Sequence, residues 1–377
     1  MDREQHYTQD AAEHYAVYKM AKVAEGLGIA SRPHSDDLWQ GFLDYLAASP
    51  RNWSLGDFTK HYPQYKENVD KQVPRFVAQL KAKFPGSLFE FAIDEATFRN
   101  LGLKADVTIR LSTENAPRHV SLKNYIGKRG IDRPQVSSGT FLSFAAGFVF
   151  ERTGVGTYLD PRTGRTFKGA DQAARNSVLE QLGLRELVKP LQTLEDLNSY
   201  AREELLRLQF YDERAFRAVI EKIVPAAQGA ILTVFGVLGL PSVRRKFLQR
   251  TGLDESEDVL FFDNRRLLDS LTNDKFNLFR RELSSPSTNF EVLPVGQGLS
   301  FQFTGAAGAN LLSVHVPLTI NANGAWHRPR RRYEGTRVVD DKGKKVELAW
   351  GQLRPRKSRE LATSTNTYVN LRRAGII

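Results

Sequence analysis

Cysteine is absent from all 377 residues, which excludes disulfides, thiolate metal sites and thiol nucleophiles. Long apolar runs are also missing. The longest, Ala226 to Leu240, has 15 residues between Pro225 and Pro241, short of the roughly 20 that a bilayer span needs. It reads as a buried core helix, with a partner-binding or membrane-contacting segment as the alternative. Met1 to Glu13 is polar and carries no apolar core, so it reads as neither a secretory signal nor a transit peptide, and a cytoplasmic location is expected. No G-x-x-x-x-G-K-[ST], G-x-S-x-G or H-E-x-x-H occurs, which removes support for P-loop nucleotide hydrolysis, a serine nucleophile elbow and a zincin helix. The histidines (His6, His14, His34, His61, His119, His315, His327) are scattered without metal-ligand spacing. Neither repeats nor low-complexity tracts appear, which disfavours solenoids and disordered arrays.

What is present is charge, unevenly spread. The net charge is +11, and from residue 321 onward 14 Lys and Arg stand against 5 Asp and Glu, so the tail carries +9 of it. The tail includes Trp326-His327-Arg328-Pro329-Arg330-Arg331-Arg332-Tyr333 and Arg354-Pro355-Arg356-Lys357-Ser358-Arg359. Guanidinium groups neutralise phosphate and aromatic faces stack on bases, so nucleic acid is the partner this composition favours. A merely solvated basic surface has the same composition.

The apolar spacing divides the chain into four segments. Residues 1–69 are helical, with periodic stretches from Ala11 to Leu27 and from Asp36 to Leu46, the second capped by Ser35 or Asp36. In 70–170, a helix capped by Asp70 runs to Phe84, with Pro74 in its first turn. Strands follow at Ser87–Ile93, Lys104–Ser112 and Arg118–Tyr125, then a buried helix at Gly139–Phe150 and a strand at Gly154–Leu159. Residues 171–285 return to helical periodicity, including Val259 to Leu271 and Phe276 to Leu283. Ser284-Ser285-Pro286-Ser287 is a linker candidate, and 286–377 is β-rich and basic, with strands at Phe290–Leu293, Leu299–Phe303 and Leu311–Ile320. The fold class expected is α+β.

Within the second segment, Asp106 and Lys123 stand on neighbouring strands. Hydrolysis of a phosphodiester needs a divalent cation, an activated water and an offset for charge building on the phosphate oxygens. A carboxylate suits magnesium, a hard ion that prefers oxygen. Because side chains alternate along a strand, Ser121 and Lys123 share one face and Leu122 points into the other layer.

These residues resemble the PD-(D/E)xK nuclease superfamily over roughly Asp70 to Asp160, about a quarter of the chain. That family's core is a helix, three strands, a helix and a further strand, with an Asp on the second strand and (D/E)-x-K on the third. The resemblance implies a restriction-endonuclease-like mixed sheet flanked by helices, and a magnesium-dependent (manganese possible) DNA endonuclease of restriction or phage-defence type. Asp106 matches the Asp position and Lys123 the Lys position, in Ser121-Leu122-Lys123. Ser121 stands where an acid is expected. Some restriction endonucleases of the superfamily carry Ser-x-Lys and recruit an acid from elsewhere; Glu90 or Glu151 is the candidate here, with Glu90 the metal ligand beside Asp106. Others place a Gln on the following helix, and Gln135 can fill that role. Lys128, Arg129 and Arg133 in the next loop can hold scissile-strand phosphates, and Arg328, Arg330, Arg331, Arg332, Arg354, Arg356 and Lys357 can grip DNA. His119 lies on the same strand face as Ser121. A homodimer is compatible with this reading.

Each residue also has a structural reading. A lone Asp at a strand start is commonly a turn or solvated residue, and a Lys followed by Asn-Tyr can be an edge-strand charge that discourages aggregation. The rival function is a non-catalytic nucleic-acid-binding or scaffold protein on a degenerate nuclease fold.

Overall fold

The computed structural model describes residues 3–49, 52–93, 106–126, 130–131, 134–137, 140–149, 151–154, 157–160, 165–168, 212–322, 331–334, 337–340, 361–365 and 367–376. The N-terminal part comprises α1 (Arg3–Gly26), β1 (Ser31–Arg32), α2 (Ser35–Ala47), α3 (Leu55–Lys60), α4 (Gln64–Lys83), β2 (Phe89–Ala92), β3 (Val107–Leu111) and β4 (Arg118–Asn124). Next come β5 (Gln135–Ser137), α5 (Phe141–Val149), β6 (Glu151–Gly154), β7 (Thr157–Asp160) and β8 (Arg165–Lys168). After these follow α6 (Glu213–Leu238), α7 (Leu240–Thr251), β9 (Asp258–Phe262), β10 (Leu267–Asp269) and α8 (Asp274–Ser284). Beyond α8 the described elements are strands: β11 (Asn289–Val295), β12 (Gly298–Thr304), β13 (Asn310–Pro317), β14 (Thr319–Ala322), β15 (Arg331–Glu334), β16 (Arg337–Asp340), β17 (Leu361–Ser364) and β18 (Thr367–Tyr368).

The chain forms two compact units, each assembled from separated segments. One joins Met1–Pro134, Leu248–Pro286 and Val369–Ile377; the other joins Gln135–Phe247 and Ser287–Tyr368. This division departs from the four consecutive segments read from the sequence. The chain passes out of the first unit and back, and the boundary at Pro286 and Ser287 falls in the expected linker.

The first unit holds a six-stranded mixed sheet in the order β1-β2-β3-β4-β9-β10. Strands β2, β3 and β4 form an antiparallel meander, and β9 lies parallel to β4. Phe89 and Phe91 on β2, Val107, Ile109 and Leu111 on β3, Val120 and Leu122 on β4, and Leu260 and Phe262 on β9 are buried in one apolar layer. Their partners are side chains of α1 and α4, including Ala12, Ala16, Met20, Val73, Phe76 and Leu80. The small alanines of α1 allow close approach, and each buried Phe or Leu contributes about 1.5–3 kcal/mol relative to exposure. The opposite sheet face changes character across the strands. On β9 it presents Phe261, packed against Phe276 of α8 with ring centroids 6.2 Å apart. On β2, β3 and β4 it is polar. Gly252 has φ +69, and a Cβ there would lie 2.6 Å from the Phe261 ring, so only glycine closes the turn that ends α7.

The expected fourth strand is corrected. Gly154–Leu159 falls on the end of β6 and on β7, which with β8 form a separate three-stranded sheet. The strand beside β4 is β9, within a region read as helical. Asp258-Val-Leu-Phe-Phe is a short continuous apolar run buried on both faces, which periodicity does not distinguish from a buried helix segment. The helix led by Pro63 also starts earlier than expected. It is α4 from Gln64, so Pro74 lies in its interior rather than its first turn. In α2, Ser35 is the first helical residue rather than the cap; its N–H and hydroxyl both donate to the Glu25 carboxylate of α1, at 2.9 and 2.5 Å.

The second unit centres on α6, which buries Phe216, Ile220, Val224, Ala227, Ile231, Val234 and Phe235 at helical spacing. The helix as a whole, unlike its 15-residue apolar run, is long and apolar enough to cross a membrane by length and composition. The buried stripe is that of a core helix instead. Phe235 packs with Phe144, Phe148 and Phe301, and Phe301 with Phe247 and Phe290. The antiparallel sheet β11-β12-β13 backs this cluster, and Gln228 ties α6 to it by donating to the carbonyls of Gly296 and Gly298 at 2.9 and 2.6 Å.

Candidate functional site

The polar face of the β2-β3-β4 meander brings three of the residues singled out in the sequence together. The Asp106 N–H donates to the Val120 carbonyl at 2.9 Å, which extends the ladder by one residue and sets Asp106 against β4. Its Oδ2 then accepts from the Leu122 backbone N–H at 2.7 Å, the Ser121 hydroxyl at 3.3 Å and the Lys123 ammonium at 3.3 Å. Asp106 and Lys123 therefore converge on one side of the sheet. The alternation of β4 requires this geometry: Val120, Leu122 and Asn124 face the helices, while His119, Ser121 and Lys123 face the other way.

The pair is accessible, with 42% of the Lys123 side chain and 20% of the Asp106 side chain exposed. An ion pair this open contributes about 0–1 kcal/mol to stability, so it is weakly justified by stability. Desolvation acts to lower the Lys123 pKa. Asp106 outweighs it, with Glu13 and Tyr125 adding, and the ammonium is held above the ordinary lysine range. A lysine so held is a cation at neutral pH. It can orient a water or neutralise phosphate charge, and it cannot serve as the proton acceptor. Burial also pushes the neighbouring Tyr125 phenol up, to about 12, against the lowering effect of Lys123.

A buried amide clasp fixes the end of β4. Asn124 donates to the Tyr65 carbonyl at 2.8 Å, and Asn68 of α4 donates to the Asn124 side-chain oxygen at 2.8 Å and to the Tyr125 carbonyl at 2.9 Å. Asn68 and Asn124 are both buried. The Lys123 backbone is thereby anchored immediately before the clasp. This corrects the edge-strand reading of Lys-Asn-Tyr, because β4 lies between β3 and β9 in the sheet interior. Nothing in the sequence beyond a lone Asn at an inward-facing position announced it.

Other expected site residues stand on other elements or outside the described residues. Glu90 shares the polar face but stands opposite Arg110 in the β2–β3 register, and its carboxylate pairs with that guanidinium at 3.4 Å. Arg110 is four residues from Asp106, about 13 Å along an antiparallel strand. Glu90 therefore does not join Asp106 as a second metal ligand. Gln135 opens β5 in the second unit, where its backbone pairs with Tyr368; it precedes α5, as its place before the apolar helix implied. Glu151 is the first residue of β6. Arg331 and Arg332 open β15, paired with Asp340 and Val339 of β16. Lys128, Arg129, Arg133, Arg328, Arg330, Arg354, Arg356 and Lys357 lie outside the described residues. His119 Nδ1 is 3.3 Å from the Thr108 hydroxyl, on the same face as Ser121.

Among the described residues no three His, Asp or Glu side chains gather as a metal-binding group. The donors at the site are one carboxylate and one hydroxyl. Magnesium is commonly held by one or two carboxylates with water and substrate phosphate completing its shell, so this set fits the ion only as a site finished by its substrate. Comparison with protein-family models, curated proteins and solved structures gives no match to this chain.

Proposed function

We propose that the chain is a metal-dependent DNA endonuclease of restriction or phage-defence type. The observation that carries this reading is the meeting of Asp106 and Lys123, 3.3 Å apart, on the open polar face of a central sheet. The sheet supports it too. Helix α4 leads into the antiparallel meander β2-β3-β4, and β9 runs parallel to β4 on its far side, the arrangement expected of a restriction-endonuclease-like core.

Asp106 would hold magnesium, or manganese in its place, with the Ser121 hydroxyl beside it. The ion, when bound, polarises the phosphate and lowers the pKa of a water. Lys123, held cationic, orients that water or offsets charge on the phosphate oxygens. The Leu122 N–H keeps the Asp106 carboxylate aimed while Lys123 moves to the substrate. The basic C-terminal residues supply sequence-independent affinity for the DNA backbone, in a cytoplasmic protein.

The test is cleavage of supercoiled and linear DNA with magnesium or manganese. Asp106→Ala and Lys123→Ala each reduce cutting by two orders of magnitude or more, to the ~10²–10³ typical of losing one electrostatic group at a reacting centre, while DNA binding persists. Wild-type protein that cuts no nucleic acid with either ion ends the catalytic reading.

A second reading has its own support. Ser121 stands where the resemblance expects an acid, and Glu90 is turned to Arg110. A non-catalytic nucleic-acid binder on the same fold explains both. Calorimetric titration with magnesium or manganese separates the two: heat that disappears in Asp106→Ala favours the enzyme, and its absence from the wild type favours the binder.

A further inference from the structure

Three donors at the candidate site are directed at one carboxylate. The Leu122 N–H, the Ser121 hydroxyl and the Lys123 ammonium all point to Asp106. Two residues beyond Lys123 stands a donor that does not. Tyr125 continues the alternation of β4, so its side chain falls on the face of Ser121 and Lys123. The ring follows that direction and meets the ring of Phe261 edge-on, with centroids 6.0 Å apart.

The backbone of Tyr125 is fixed on both sides. Its N–H donates to the Phe262 carbonyl at 2.9 Å, and its carbonyl accepts from the buried Asn68 amide at 2.9 Å. The half-buried side chain lies close enough to Lys123 that each group alters the proton affinity of the other. Its hydroxyl has no hydrogen-bond partner among the described residues and is not sealed from solvent.

Packing alone does not account for that hydroxyl. A phenylalanine ring would meet Phe261 equally well, and a hydroxyl drawn partly out of water without a partner costs free energy. The group lacks an acceptor. Because the phenol stays protonated at neutral pH, it acts as a neutral donor and as neither base nor nucleophile. The carboxylate at hand, Asp106, is already met by three donors. An anionic oxygen brought in from outside suits the position, since the neighbouring ammonium attracts it and the phenol donates to it. In a nucleic acid that oxygen belongs to a phosphate, which tyrosine hydroxyls are among the groups to contact.

We propose that Tyr125 is a substrate-binding residue whose hydroxyl donates to a phosphate oxygen of the nucleic-acid strand held at Asp106 and Lys123. The proposal rests on the nucleic-acid-binding part of the function proposed above and is independent of catalysis. A contact of this kind adds affinity without adding charge.

The experiment reads that property. Full-length wild type and Tyr125→Phe are titrated by fluorescence anisotropy with a labelled DNA duplex of mixed sequence, at several salt concentrations, with calcium as the divalent ion and the duplex verified intact afterwards. Tyr125→Phe binds about tenfold more weakly at every salt concentration, a loss near the lower end for a hydrogen bond to a charged group. The slope of log affinity against log salt stays that of the wild type, because a neutral donor displaces no counterion. Thermal melts of the two proteins coincide, since the hydroxyl has no internal bond to lose. Equal affinity overturns the proposal. So does weaker binding accompanied by a lower melting temperature or a lower slope, which marks a disturbed site rather than a lost contact. A wild type that binds no DNA overturns it together with the nucleic-acid reading. Weaker binding by Tyr125→Phe in a protein that cuts nothing with magnesium keeps the contact and removes the endonuclease; equal binding in a protein that cuts does the reverse.

Discussion

The side-chain amide of Asn124 lies 2.8 Å from that of Asn68, an interlock between β4 and α4 one residue beyond Lys123. It connects the helix layer to the functional face of the sheet, because the same strand that hides Asn124 among the helices must present Lys123 on its other side.

Replacing Asn124 by Ala removes one acceptor of the buried Asn68 amide, leaving one of its N–H bonds unpaired, and one donor to the Tyr65 carbonyl. Leaving a buried polar group without a partner costs about 1–3 kcal/mol, so destabilisation of roughly 2–3 kcal/mol is expected. Urea unfolding of the full chain measures it as a lower midpoint with an unchanged slope. A cost below a few tenths of a kcal/mol would show that the clasp is not a structural anchor.

Lys123 has a pKa raised above its unfolded value by Asp106, after a lowering from desolvation. A group raised on folding contributes stability that is fully present below its unfolded pKa, near 10.4, and is lost as pH rises through the folded value. No part of that window lies near neutrality. Stability and cutting between about pH 6 and pH 9 are therefore independent of Lys123 titration. Asp106→Asn removes the largest raising influence and brings the lysine down. Heteronuclear NMR of the Lys123 side chain reads both states; an ammonium that titrates below pH 9 in the wild type contradicts the assignment.

Asp70 of α4 accepts from Tyr15 at 2.7 Å and pairs with Lys66 at 2.6 Å and Lys19 at 3.0 Å. Burial acts to raise its pKa, and Lys66, Tyr15 and Lys19 together outweigh that, so the carboxyl is held below its ordinary value. A depressed carboxylate contributes stability that is present above its unfolded pKa and lost as pH falls through the folded one. Asp70→Asn is expected to cost about 1–2 kcal/mol at pH 7, the scale of a hydrogen bond to a charged group. The gap between variant and wild type narrows below about pH 4. Thermal melts of the two proteins at pH 7 and pH 3.5 check the sign.

The basic tail predicts a salt signature. If Arg331 and Arg332 neutralise phosphates, the double Ala variant weakens binding alike on all DNA sequences. It also lowers the slope of log affinity against log salt by about 2, near 0.9 for each phosphate contact. An unchanged slope would place these residues outside the DNA interface.

The meander was legible in the sequence because each of its strands alternates. Phe89 and Phe91, Val107 and Ile109, and Val120 and Leu122 mark one face at period two, and the structure places strands within the three expected spans. Helices α1, α2 and α8 and strands β11 to β13 were legible for the same reason: their apolar spacing matches their geometry over several turns or residues. The failure at β9 has the opposite cause, since a strand buried on both faces has no alternation to read.

What the sequence by itself determined is local: which stretches alternate, which wind at helical period, that no thiol chemistry is available, and that Ser121 and Lys123 share a face. The choice of neighbours belonged to the tertiary structure alone. It set Asp106 against Lys123, turned Glu90 to Arg110, and brought β9 from more than a hundred residues away to lie parallel to β4. Side-chain direction follows from backbone period within one strand, whereas partner and register follow from burying apolar faces contributed by distant segments, which no local window contains.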